Sequence, residues 1–97
     1  LSIGGIGIIS VVANIVPADV AGLVLAFEKG DFKKAKELHF KLLPLIKAVF
    51  LETNPIPVKT AMGLMGMCSS QLRLPMCGMS EDNLSKLKIA LKDYGLM

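Results

Sequence analysis

Apolar positions are dense and without helical phase at the start of the chain, and helically phased after it. Ile6–Val12 (IGIISVV) is a short β-branched run with glycines before and within it at Gly4, Gly5 and Gly7. Ile6, Ile8 and Val12 share one parity and Ile9 and Val11 the other, the pattern of a strand covered on both faces in a parallel sheet. No Asn-Gly or Asp-Gly turn and no second β-branched run follows, so the chain offers this strand no hairpin partner. Backbone groups left unpaired in an apolar setting cost roughly 1–3 kcal/mol each. The expected neighbours therefore lie in a preceding part of the polypeptide or in a second copy of the chain.

From Pro17 onward the spacing predicts about four helices. Pro17 suits a first helical position and Asp19 puts negative charge in the first turn, ahead of an apolar stripe of Val20, Leu23, Val24 and Phe27 and a left-handed stop at Gly30, so the first helix spans about Ala18–Lys29. Asp31 is an N-cap for a second helix with apolar positions Phe32, Ala35, Leu38, Leu42, Leu45, Ile46 and Val49 and an outer face of Lys33, Lys34, Glu37, Lys41 and Lys47. Pro44 falls inside this pattern and predicts a bend. Pro57 opens a third helix carrying Val58, Ala61, Met62, Leu64 and Met65, kept short by Gly63 and Gly66. After a loop from Met67 to Met79, Ser80 caps a last helix with Leu84, Leu87, Leu91 and Tyr94 on one face and Gly95 beyond its end.

Composition sharpens this picture. The 97 residues make one domain, short for an enzyme with a buried cleft, and 53% of them are hydrophobic against 20% charged. That exceeds the usual share of about 45–50% and implies surface that something outside the chain covers. A net charge of +3, with lysines spread along helical faces and few aromatics, gives nucleic-acid binding little support. Leu1–Phe27 carries a single charge, Asp19, but three early glycines, Asn14 and Pro17 break the run where a membrane helix must be continuous, and no basic segment precedes it as in a secretory signal. A start at Leu1 fits a cut or processed product. Cys68 and Cys77, nine residues apart with His39 remote, match no metal spacing and read as reduced thiols of a cytoplasmic protein. His39 reads as a packed or partly exposed histidine, since no nucleophile or carboxylate shares its helical spacing, and the Met-rich stretch reads as adaptable packing.

Four elements taken in order carry a resemblance: Gly4-Gly5-Ile6-Gly7-Ile8-Ile9-Ser10, Ala13-Asn14-Ile15-Val16-Pro17, Asn54-Pro55-Ile56-Pro57-Val58-Lys59 and Leu72-Arg73-Leu74-Pro75-Met76. Together they resemble the C-terminal third of the dihydrodipicolinate synthase family, within the wider pyruvate-dependent class I aldolases. The resemblance implies a C-terminal fragment of a (β/α)8 barrel, with residues 1–30 as its last β/α unit and residues 31–97 as a helical appendage. By itself the chain would then be mostly helical, with one N-terminal strand. A coiled or freely solvated Ile6–Val12 would overturn this reading.

The family condenses pyruvate, held as a Schiff base on a lysine, with aspartate semialdehyde on the diaminopimelate route to lysine, in the cytoplasm and without cofactor or metal. The resemblance places that lysine, the proton-relaying tyrosines and the pyruvate-binding threonine upstream of Leu1. The chain alone is then expected to be inactive and to need the missing N-terminal barrel portion. By the same resemblance Ile9 sets its backbone against bound pyruvate; Gly7 and Ser10, beside it near the C-terminal end of the expected strand, and Asn54, approaching from the appendage, are candidate active-site lining residues. Asn54 before Pro55 reads equally as a turn former, and Gly5 and Gly7, on the parity of Ile9, as sites of close backbone packing. Lys59 reads as a surface or structural lysine, because nothing in the sequence supplies the desolvated or cationic pocket that a Schiff-base lysine needs. Homo-oligomers, dimer or tetramer, are implied, with Ile3 near a subunit contact. The alternatives are an N-acetylneuraminate or 2-keto-3-deoxy-sugar lyase of the same family, or a self-associating helical module acting through Ile6–Val12 and Val20–Phe27.

Overall fold

The computed structural model describes all residues, 1–97. A 3₁₀ turn, Val12–Asn14, leads into α1 (Pro17–Glu28), α2 (Phe32–Ala48), α3 (Ile56–Leu64) and α4 (Glu81–Tyr94). α1 packs on α2, α2 on α4, and α3 on both α4 and the 3₁₀ turn. The long dimension is 42 Å against 25 and 21 Å, and the radius of gyration is 14.5 Å, where a closely packed chain of this length has about 12.5 Å. An N-terminal arm, residues 1–11, runs ahead of the 3₁₀ turn.

The expected helices form where their caps put them. Pro17 opens α1, and the Asp31 carboxylate accepts the Lys34 N–H at 3.0 Å to open α2. The Ser80 hydroxyl accepts the Asn83 N–H to open α4, and Gly95, at φ 88°, ends it in the left-handed conformation. α3 begins one residue earlier than expected, at Ile56, and Gly63 lies inside it as a contact site: a Cβ there would come 2.9 Å from Ser70 Cβ. Pro44 stands on the exposed side of α2, which runs on past it to Ala48.

Buried Leu42, Leu45, Val49, Ala61, Leu87 and Leu91 form the centre of the core, which Val12, Ile15, Val16 and Val20 extend toward the arm. Each such leucine contributes roughly 1.5–3 kcal/mol of apolar burial. No buried side-chain nitrogen or oxygen lacks a partner.

Two expectations need correction. The chain contains no strand: Gly5 to Ser10 form no backbone hydrogen bond at all, Val12 opens the 3₁₀ turn and Val11 is the residue before it. A strand exists only through its neighbours, and this chain holds no second β-branched run to supply one. The apolar stripe of α1 is also only partly covered. Val20 is buried, whereas Leu23, Val24 and Phe27 are half-buried, and at Gly22 of α1 an added Cβ would lie 3.5 Å from Leu38 Cδ1 of α2. On α2, Phe32 stays exposed, edge-on to the Phe27 ring at 5.1 Å, because nothing in this chain covers that end of the helix pair.

Candidate functional site

The arm is apolar and uncovered. Ile6 and Ile9 are essentially fully exposed, at 93% and 108% of the reference area, and Gly7 has no atom within 4 Å of where a Cβ would stand. Ile8 and half-buried Ser10 turn toward a hollow of about 550 Å³ between the arm, α1 and α2, whose apolar wall includes Leu23, Phe27, Phe32 and Ile46. His39, exposed on α2 beside the Phe40 ring, reaches the rim of this hollow. The potentially nucleophilic side chains that line it are the hydroxyls of Ser2 and Ser10, the Lys36 amine and the His39 imidazole.

A second hollow, of about 340 Å³, forms where the end of the arm meets the start of α3. Asn54 and Lys59 line it together with Val11, Asn14, Met62 and Cys68. Asn14 is fixed there, its Nδ2 donating to the Val11 carbonyl at 2.9 Å. The Asn54 side chain forms no hydrogen bond and the Lys59 ammonium no ion pair within the chain. Of the four candidate residues, the fold thus brings Asn54 close to the end of the arm, while Ser10 faces the other hollow and Gly7 and Ile9 line neither. Lys59 is the only charged residue lining its hollow. Cys68 and Cys77 are free and exposed, and nowhere do three or more His, Cys, Asp or Glu side chains gather as a metal would require. No helix is long and apolar enough to cross a membrane.

The helices that carry the arm are tied by a polar hub. Asp19 on α1 accepts from Lys41 of α2 at 2.6 Å and from the Tyr94 hydroxyl of α4, and the Lys41 ammonium stands 4.9 Å from the Tyr94 ring centre. The bonds from Lys41 and Tyr94 hold the Asp19 carboxyl below its ordinary range. Burial and the adjoining carboxylate push the Tyr94 phenol well above its own. Glu52, in the α2–α3 connection, accepts from Ser80 N, Ser80 Oγ and Asn83 Nδ2, each at 3.0 Å, and these bonds lower its pKa. Asp19 and Tyr94 are 75 residues apart, so no local pattern pairs them, whereas Ser80 as a cap residue marks the start of α4.

The profile of the dihydrodipicolinate synthetase family matches residues 1–94. The chain belongs to that family. Among curated family members it is 63% identical over 97 residues to the 4-hydroxy-tetrahydrodipicolinate synthase of Endomicrobium trichonymphae, and 55% identical to that of Methanocaldococcus jannaschii. Each match covers the whole of this chain but only 33% and 34% of those relatives, so the chain spans about a third of their length. Solved dihydrodipicolinate synthases agree in shape. One superposes with TM-score 0.95 at 55% identity over 99% of this chain and 33% of its own. The Aquifex aeolicus protein gives 0.95 at 47% identity over 98% of this chain and 32% of its own. Members of the dihydrodipicolinate synthetase family therefore share the helical core and, since nearly the whole chain superposes, the course of the arm.

Proposed function

We propose that residues 1–30 are the last β/α unit and residues 31–97 the helical appendage of a (β/α)8 barrel lyase that condenses pyruvate with aspartate semialdehyde, in the cytoplasm, on the route to lysine. The observation that carries this is agreement along the full length of the chain with proteins named for that synthase, at 63% identity in sequence and a TM-score of 0.95 in shape. In the assembled enzyme a lysine outside this chain attacks the keto carbon of pyruvate and water leaves. Loss of a methyl proton then gives the enamine, whose carbon attacks the aldehyde. Residues of this chain make the wall: the backbone at Ile9 faces pyruvate, with Gly7 and Ser10 on either side and Asn54 at the mouth. An arm without side chains at Gly5 and Gly7 leaves room for substrate on the parity of Ile9. Lys59 stays outside the chemistry. The enzyme works as a homo-oligomer, although one solved relative is described as a monomeric variant.

A fused chimera tests the reading, with this chain in place of the matching third of the Endomicrobium trichonymphae relative. It is expected to be trapped by borohydride in the presence of pyruvate and to consume aspartate semialdehyde. A folded chimera that forms no pyruvate adduct refutes it, and one that cleaves only N-acetylneuraminate or keto-deoxy sugars transfers the chain to that branch of the family.

A further inference from the structure

The connection between α2 and α3 is held to the rest of the fold by one side chain. Leu51, Thr53 and Asn54 are exposed, and the N–H groups of Glu52, Thr53 and Asn54 have no backbone partner. The Thr53 and Asn54 side chains form no hydrogen bond either. Glu52 is the exception: its Oε1 accepts from Ser80 N, Ser80 Oγ and Asn83 Nδ2, each at 3.0 Å, across 28 to 31 residues of sequence. Three donors converging on one carboxylate oxygen fix the group in direction as well as in place. They belong to the N-cap and first turn of α4, a firm reference because Leu87 and Leu91 are fully buried in the core. On the far side of Asn54, the Ile56 N–H donates to the Thr53 carbonyl at 3.0 Å, and Ile56, Pro57 and Val58 are buried at the head of α3. Asn54 thus stands midway between two fixed points, Glu52 and Ile56, with its amide unbonded in the hollow it shares with Val11 and Asn14.

From this we infer that Glu52 is a positioning residue: its clamp on the start of α4 aims the Asn54 amide at the second substrate, so that losing the clamp weakens capture of the aldehyde and leaves imine formation with pyruvate intact. The inference rests on the function proposed above, which sets Asn54 at the mouth and gives Glu52 no part. Without the carboxylate, the stretch between the end of α2 and Thr53 has no tie to α4, and Asn54 hangs from α3 alone. A hydrogen bond to substrate weakens steeply once its donor turns away, so slack in the backbone two residues off is felt in binding through Asn54. Pyruvate lies against the backbone at Ile9, whose course is set by a separate group of contacts, those of Val12, Ile15 and Val16 in the core.

Steady-state kinetics of the fused chimera, with aspartate semialdehyde varied at saturating pyruvate, test this. Glu52→Ala is expected to raise the KM for aspartate semialdehyde about tenfold, the size of one oriented hydrogen bond. Its kcat should stay within about twofold and borohydride trapping with pyruvate should not change. Glu52→Gln, which keeps an oxygen for the same donors, should restore most of the KM. Asn83→Ala, which removes one donor and leaves the Ser80 cap in place, should show the same split to a smaller degree. In an Asn54→Ala background Glu52→Ala should add nothing, because no amide is left to aim. A Glu52→Ala effect that persists in that background, that falls equally on kcat and trapping, or that is absent overturns the inference, as does an Asn54→Ala chimera with unchanged KM. Should Glu52→Ala fail to fold, Asn83→Ala decides: a raised KM with unchanged trapping supports the clamp, and an unchanged KM overturns it. Throughout, trapping and turnover by the unaltered chimera leave the proposed function standing, and an unaltered chimera without them fails that reading first.

Discussion

Replacing Leu87 and Ile9 by alanine, one at a time in the 97-residue chain, separates the closed core from the open arm. Leu87 is fully buried on α4, and Ile9 is fully exposed on the arm. Both lose methyl-bearing carbons, so a hydrophobicity scale alone ranks them alike. The structure does not. Truncating a fully buried leucine removes its transfer free energy and leaves a cavity, at about 2–5 kcal/mol. A domain of this size has about 5–15 kcal/mol in all. A loss of about 3 kcal/mol corresponds to a fall in Tm of about 12–24 °C. Ile9→Ala removes a side chain that water surrounds in the folded and unfolded states alike, so its effect stays within about 0.5 kcal/mol. Urea unfolding followed by far-ultraviolet circular dichroism measures both, with an unchanged denaturant slope as the check that the unfolded state has not shifted. A cost under about 1 kcal/mol for Leu87→Ala, or over about 1 kcal/mol for Ile9→Ala, refutes this division of the molecule.

Three further outcomes follow from the same contacts. Because Asp19 has a lowered pKa in the folded state, its contribution is complete above the ordinary carboxyl value of 3.8 and is lost as pH falls through the folded value. Asp19→Asn should therefore cost about 1 kcal/mol near neutral pH and flatten the acid limb of a stability-against-pH curve, and an unchanged acid limb contradicts the hub. Gly63→Ala places a Cβ 2.9 Å from Ser70 Cβ and should cost about 1–3 kcal/mol and speed proteolysis of the Met67–Met79 loop, whereas Gly78→Ala, where a Cβ meets nothing, should do neither. Borohydride with pyruvate should leave the isolated chain unmodified by mass spectrometry, and an adduct on Lys59 would show that this lysine finds a nucleophile's environment the fold does not display.

The helices were legible because their ends are chemically marked. Pro17, Asp31, Ser80 and Gly95 do in the fold what their residue types predict, and Leu42, Leu45, Leu87 and Leu91, at helical spacing on α2 and α4, are in the core, while Leu84 on the same stripe is half-buried. The arm was misread as a strand of this chain. Apolar residues on both parities record that both faces are to be covered, but not by what, and the ladder belongs to the partners. Taken alone, the coil at Gly5–Ser10 meets the condition set against a barrel. That condition was too strict, since full-length superposition on synthases of known structure holds with the ladder unmade. The hub was illegible for a different reason: Asp19 announces a helix start, and nothing within its own turn points to a tyrosine on the last helix. The candidate site was readable only in part. Asn54 lines one hollow with Val11 at the end of the arm, whereas Gly7 and Ile9 line neither hollow of this chain.

On the proposed reading, the appendage does more than cover one side of a barrel. Ile9 acts through its backbone, so what matters at that residue is where the main chain runs, and a displacement of about 1 Å at a reacting centre is enough to cost about 10²-fold in rate. The course of the arm is set at Val12, Ile15 and Val16, which are buried in the same core as α2, α3 and α4. α1, which follows them directly, is held to α2 and α4 by Asp19, Lys41 and Tyr94. A strand flanked by neighbours on both edges is fixed along its length, but its slide and tilt at one end depend on what it is anchored to. Helices packed in one core provide that anchor. Loosening the hub by Tyr94→Phe should then lower turnover in the fused chimera with little change in pyruvate trapping at saturation, because imine formation tolerates a shifted wall better than the alignment of enamine and aldehyde does.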